Sequence, residues 1–332
     1  MERGSMVALR GGAVTMKILV GLDFEDAPEA GPVTPAVIRL LNRLQFPKVS
    51  VEVAHAIDSR RSPADNLEAL LFAAGEDLPR AQATERVASR YLVEGAASKM
   101  DDWIPGTPSP CGTILTGNAA VALMDRADLT HADLIAVNGA RRFTRMDALL
   151  TGSVARDIVV GAHQSVLIAR DRAHEAGGSE DTPTTPVRAV LATDHSPYAN
   201  RCVELLGRLA PAGIGHLTVL SAYPDYQIQA FRSVVGEMAV DPAEAIRDHL
   251  CERNTTVIDL LSHHLAPGTA FTSQVTPEPV QTAIAHAMAA AEADLLILGA
   301  KGHGFAERLL LGSVSFRHAV VHAPYSVLIL RA

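Results

Sequence analysis

The sequence predicts an α/β protein built from two tandem copies of one domain, and three observations carry that prediction. The chain repeats itself: "KILVGLD" at 17–23 returns as "AVLATD" at 189–194, and "SVLIAR" at 165–170 returns as "SVLILR" at 326–331. Between them, "HADLIAVNGARRFTRMDALLTGSV" at 131–154 returns as "EADLLILGAKGHGFAERLLLGSV" at 292–314. The order is kept and the offset is roughly 160 residues, far beyond a solenoid period, so whole domains are repeated. Short apolar runs also alternate with longer amphipathic stretches, the pattern of a parallel sheet covered by helices on both faces. Finally, DRAHEAGGSEDTPTTP at 171–186 is polar, without an apolar period, and reads as a linker.

These boundaries give a disordered leader at 1–15, a first domain at 16–170, the linker, and a second domain at 187–332. In the second copy, strands are expected near 188–193, 216–221, 271–275, 294–298 and 326–330. Helices are expected over 197–210, much of 228–265, 279–292 and 313–322. Gly213, Gly215 and Pro267-Gly268 punctuate connections between them. The first copy follows the same order, with strands near 17–22, 49–55, 112–115, 133–137 and 165–169. Its alanine-rich stretch from 62 to 104 is long, and the pattern does not fix helix limits there. Each copy is therefore a five-stranded α/β sandwich.

Composition narrows the function classes. Of 332 residues, 48% are hydrophobic and 20% charged, as in a globular chain with a substantial core. A net charge of −8 argues against a general nucleic-acid binder, which needs a concentrated basic surface. Cys111, Cys202 and Cys251 are too few and too scattered for a disulfide framework or a zinc site, so a reducing compartment is expected. No run approaches the ~18 apolar residues of a membrane span and the first fifteen residues are no signal peptide, so the expected location is the cytoplasm.

Chemistry is concentrated in LLILGAKGHGFAERLLLGSVS, residues 295–315. Gly299 ends a predicted strand, Gly302 follows, and Gly312-Ser313 opens a predicted helix. Ligands of open parallel sheets bind beyond the carboxyl ends of strands. A helix N-terminus there presents unpaired N–H groups and the positive end of the macrodipole to phosphate. Glycines allow close backbone approach, so the spacing G-x2-G-x9-G-S supports a phosphate cradle with the Ser313 hydroxyl as an added donor. It is neither the dinucleotide fingerprint nor a P-loop. Lys301 and Arg308 lie in the same loop and can neutralise phosphate, although solvated side chains are the commoner case.

On these residues the second domain resembles a universal stress protein domain, whose nucleotide-binding members carry G-x2-G-x9-G-[S/T]. The first domain resembles it too, and the resemblance covers all but leader and linker. It implies a sheet of order 3-2-1-4-5 and pairing of the two fifth strands in a dimer or pseudo-dimer. It also implies ATP, with or without Mg2+, as the cofactor. Asp194 takes the role of the aspartate after strand one, and Ala222 that of the backbone contact to adenine. Gly299, Gly302, Gly312 and Ser313 form the phosphate loop. A carboxylate at Asp194 can accept hydrogen bonds from ribose hydroxyls or the adenine amine, while a turn-capping role is its plainer alternative.

The first domain departs from the pattern. Asp23, Ala56, Gly152 and Ser153 are in place, but Arg142 stands where the second glycine belongs, and Asn138 and Gly139 compete for the first. Arg142 either fills the phosphate pocket or donates a bidentate pair to phosphate, and weaker nucleotide binding is expected there.

Histidines and cysteines add little. No H-E-x-x-H, Cys/His cluster or G-x-S-x-G elbow occurs, and His303 and His318 have nothing behind them but proximity to the loop. Each histidine is read as solvated or at the core edge, and Cys202 as core. The expected function is a nucleotide-responsive regulator in stress or growth control, an intramolecular pseudo-dimer that also forms a homodimer. The alternatives are a nucleotide-independent dimerisation scaffold or a slow ATPase. An enzyme of the related pyrophosphatase type would want S-G-G-x-D-S after strand one, which "TDHSPYAN" is not.

Overall fold

A computed structural model describes residues 16–22, 35–57, 93–94, 111–139, 153–170, 185–223, 241–300 and 323–332. The first domain contains β1 (Met16–Leu22), α1 (Ala36–Leu44), β2 (Val49–Ile57), β3 (Cys111–Thr116), α2 (Ala119–Thr130), β4 (Leu134–Asn138), α3 (Ser153–Gly161) and β5 (Ser165–Ala169). The second contains β6 (Val187–Ala192), α4 (Pro197–Leu209), β7 (Ile214–Ala222), α5 (Pro242–Ser262), β8 (Ala270–Thr276), α6 (Val280–Ala290), β9 (Leu295–Gly299) and β10 (Ser326–Leu330). All ten predicted strands are present within a few residues of their expected limits. The predicted helix at 313–322, most of 62–104 and the stretch 224–240 lie outside the described residues.

All ten strands form one sheet, ordered β3-β2-β1-β4-β5-β10-β9-β6-β7-β8. Each domain thus has the order 3-2-1-4-5, parallel throughout, and only the β5–β10 pair at the centre is antiparallel. Central strands are apolar on both faces because both faces are covered: β5 and β10 are buried at every residue. The outermost strands β3 and β8 read CGTILT and AFTSQVT and are partly exposed, with polar side chains where a covered strand would carry apolar ones. One core collects residues of α1, α4 and α5 with one sheet face, and a second collects those of α2, α3 and α6 with the other. Both cores run through residues of both domains.

The repeated "SVLIxR" segments explain the junction. Leu167 and Leu328 pair at its centre, and the ends are fastened reciprocally. Ser326 Oγ accepts the Arg170 N–H at 3.0 Å, and Ser165 Oγ accepts the Arg331 N–H at 3.1 Å. The Arg170 guanidinium donates to Tyr325 O, and that of Arg331 to Gln164 O. Burial lowers Arg170 to about 10, which leaves it cationic at neutral pH.

A second junction breaks this symmetry. The C-terminal turn of α1 reaches the connection between α4 and β7, where Gly213 N donates to Leu44 O at 2.9 Å and Ala212 N to Gln45 O at 3.2 Å. A Cβ on Gly213 would lie 1.6 Å from Arg43 O, so no larger residue fits. Arg43 and Asp294 form an ion pair at 2.8 Å with both side chains 5% exposed, and Arg43 also donates to Thr185 O and Pro186 O. Asp294 belongs to the repeated "ADL". Its counterpart Asp133 accepts the Lys17 N–H, just as Asp294 accepts that of Arg188.

Candidate functional site

Strand order reverses between β6 and β9, which puts a topological switch point at their carboxyl ends. After Ala192 the chain turns through Thr193, Asp194, His195 and Ser196 into α4, whose N-terminus is capped by Ser196 Oγ accepting from Ala199 N at 3.1 Å, with Pro197 in the first turn. Asp194 Oδ1 accepts the Ser196 N–H at 3.0 Å. Its other oxygen, Oδ2, is buried and has no hydrogen-bond partner among the described residues.

Backbone direction places the neighbouring strand ends. Successive residues of a strand aim their N–H and C=O groups at opposite neighbours. Leu220 O accepts Thr193 N on the β6 side and Tyr223 N donates to Thr276 O on the β8 side, so the backbone groups of Ala222 face β6, past its last residue. Ala300 N donates to Leu330 O, so Gly299 likewise faces β6 from the other flank. Asp194, Ala222 and Gly299 therefore surround one opening. Gly302, Gly312 and Ser313 lie outside the described residues.

In the first domain Ala56 occupies the position of Ala222: Gly117 N donates to Ile57 O, which turns Ala56 toward β1. Asp23, Arg142 and Gly152 lie outside the described residues; Ser153 opens α3, and its side chain is not described. The register settles the competition for the first glycine. Leu134 pairs with Ser165 as Leu295 pairs with Ser326, so Asn138, not Gly139, stands where Gly299 stands. Gly139 matches Ala300 and sends its N–H to Ala169 O, away from the opening. The two strands are equally long, and the first domain's extra residue falls between Asn138 and Gly152. Asn138 Oδ1 accepts the Val37 N–H of α1 at 2.7 Å, so the first domain has a side chain tied to α1 where the second has a glycine.

Beneath the second opening lies a polar cluster that the sequence reading missed. His195 is buried, with φ +54°, in the left-handed region. Its Nε2 meets Ser221 Oγ and Asn254 Oδ1, each at 3.0 Å. Asn254 Nδ2 points at Val219 O and Gln274 O, which fixes the amide orientation and makes Oδ1 the acceptor. Nε2 of His195 must then carry the proton, leaving Nδ1 a buried acceptor without a partner among the described residues. Burial pushes the His195 pKa down, against the Asn254 hydrogen bond, which raises it. The unfolded chain binds this proton more tightly, so the contribution of neutral His195 is present above pH 6.5 and lost as pH falls below it. Thermal melts from pH 8 to 5 are expected to show stability falling below that point, with a shallower fall in His195→Gln.

Cys202 is buried in α4 as expected, and burial pushes its thiol up to about 11. Among the described residues no group of three His, Cys, Asp or Glu side chains is placed to hold a metal ion, and no helix is long and apolar enough to cross a membrane.

The order 3-2-1-4-5, doubled about an antiparallel centre, defines a tandem doubly wound α/β protein. The universal stress protein family matches residues 15–170 and again 187–331, and the chain belongs to that family. No curated protein matches it. A universal stress protein from Archaeoglobus fulgidus DSM 4304 is similar over 95% of this chain and 96% of its own, at 15% identity and a TM-score of 0.57. A functionally unknown protein from Pseudomonas aeruginosa PAO1 is similar over 96% and 93%, at 13% identity and a TM-score of 0.52. These likenesses concern the fold. The universal stress protein from Archaeoglobus fulgidus in complex with dAMP overlaps 47% of this chain and 98% of its own, at 20% identity and a TM-score of 0.30.

Proposed function

We propose that the second domain binds an adenine nucleotide, with ATP as the physiological ligand, and that the bound state makes this protein a regulator in stress or growth control. One observation carries the reading: Asp194 Oδ2 is buried, unpartnered among the described residues, and set at the switch-point opening. A buried carboxylate oxygen left without a donor is costly, and ribose hydroxyls or an adenine amine are donors of the right kind. The backbone of Ala222 adds a donor and an acceptor facing the same opening, the complement of an adenine edge. Gly299 presents no side chain there, and the spacing to Gly302, Gly312 and Ser313 supports a phosphate loop. No residue is assigned to Mg2+.

The first domain supports a different use. Asn138 puts a side chain at its switch point, tied to α1, and α1 is committed at its C-terminal turn to holding the second domain. It acts as a docking module, the scaffold reading applied to half of the chain. Both fifth strands are already paired, so a homodimer has to use another surface. Three unpaired cysteines suit a reducing cytoplasm.

The test is to denature purified protein, identify released nucleotide, and titrate ATP into wild type and Gly302→Arg by calorimetry. An adenine nucleotide is expected in wild type and none in the variant. No released nucleotide together with no binding heat would overturn the proposal, and multiple ATP turnovers well above background would favour the ATPase.

A further inference from the structure

We propose that Asn254 is a positioning residue for the nucleotide site, holding the Asp194 turn and the end of β7 in the relative placement that recognises adenosine. The inference rests on the function proposed above and adds to it the residue that sets base selectivity. Asn254 lies on α5, a helix with most residues exposed, and with Val257 and Leu261 it forms the buried seam at intervals of three and four. It is 0% exposed, at a position where an apolar residue would serve packing alone. A buried amide is tolerated there because every polar atom is engaged. Oδ1 accepts from Ser221 Oγ at 2.8 Å and from His195 Nε2 at 3.0 Å. Nδ2 faces Val219 O at 3.2 Å, Ser273 Oγ at 3.1 Å and Gln274 O at 3.3 Å. One side chain thus ties together the turn after β6 and the strands β7 and β8.

Two of those ties sit one residue from the proposed ligand contacts. His195 follows Asp194, and Ser221 precedes Ala222. The turn needs such a hold, because a non-glycine residue in the left-handed region is disfavoured by steric contact with its own backbone. Arg253, the neighbour of Asn254, adds a second grip by donating to His195 O at 2.9 Å. In the first domain a direct side-chain bond spans the same two elements. His55, the counterpart of Ser221, reaches Leu22 O directly at 2.8 Å.

A misplacement of about 1 Å in a positioning group can cost on the order of a hundredfold in a bound complex. Calorimetric titration of ATP, AMP and GTP into wild type and Asn254→Leu tests the assignment. ATP and AMP affinity are expected to fall together, by about 10- to 100-fold, while GTP affinity, which shares only the ribose contacts, falls less, so that selectivity for adenosine narrows. Phosphate contacts are untouched, so the ATP-to-AMP ratio should hold. Unchanged ATP affinity in a folded Asn254→Leu, or an equal fall for ATP and GTP, would overturn the inference while leaving nucleotide binding itself intact. Should the leucine variant fail to fold, Ser221→Ala removes one of the two Oδ1 contacts with α5 unaltered and is read the same way. A wild-type protein that binds none of the three overturns the function and this inference with it.

Discussion

Replacing Asp294 with alanine is expected to destabilise the folded chain by about 3–5 kcal/mol, the cost of leaving one member of a buried ion pair uncompensated. Asp294 and Arg43 are each 5% exposed in their side chains and lie 2.8 Å apart, on opposite domains. Removing the carboxylate takes from the guanidinium its ion-pair partner at 2.8 Å, and also takes the acceptor from the Arg188 N–H. The pair itself need not be a large net stabiliser, because both charges had to leave water. The double variant Arg43→Met with Asp294→Leu should therefore recover most of the loss, a non-additivity expected of side chains in contact. Denaturant unfolding of wild type, Asp294→Leu, Arg43→Met and the double variant measures it, with Asp294→Ala alongside. A loss below about 1 kcal/mol in Asp294→Ala would show that solvent reaches Arg43 and that the junction is not sealed.

Asp194→Ala carries the largest expected effect on ligand. Hydrogen bonds to a charged group contribute about 1.5–3 kcal/mol, so the dissociation constant for ATP should rise roughly 10- to 150-fold. The Ser196 N–H loses its acceptor at the same time, a stability cost of about 1 kcal/mol that leaves the domain folded. Asp194→Asn keeps one acceptor and should fall between the two. Calorimetry paired with a thermal melt separates affinity from folding. A folded alanine variant with wild-type affinity would remove Asp194 from the site.

The central strands were legible because parallel strands buried on both faces read as short unbroken apolar runs, whereas the outermost pair, β3 and β8, are interrupted by polar residues. The tandem plan was legible because the two copies kept their strand and turn sequences. The register of the first domain was not. Counting back from Gly152 left Asn138 and Gly139 competing for the first glycine position because one added residue shifts the count, whereas the pairing of Leu134 with Ser165 aligns Asn138. The polar cluster was equally hidden. His195, Ser221, Asn254 and Ser273 are scattered through the second domain, and no local period betrays a contact made only by folding. The available signal was an asparagine on the seam that continues through Val257 and Leu261.

The reciprocal fastening of β5 to β10 has a consequence for how such a protein changes over generations. In an assembly of two identical chains, every substitution appears on both sides of the axis, so a change that closes one opening closes both. Here the two sides are encoded separately and held in one molecule, and dilution cannot part them. Asn138 can arise opposite an untouched Gly299, and α1 can acquire a gripping role that its counterpart α4 lacks. Covalent fusion preserves the architecture of a symmetric pair while releasing each half from being a copy of the other.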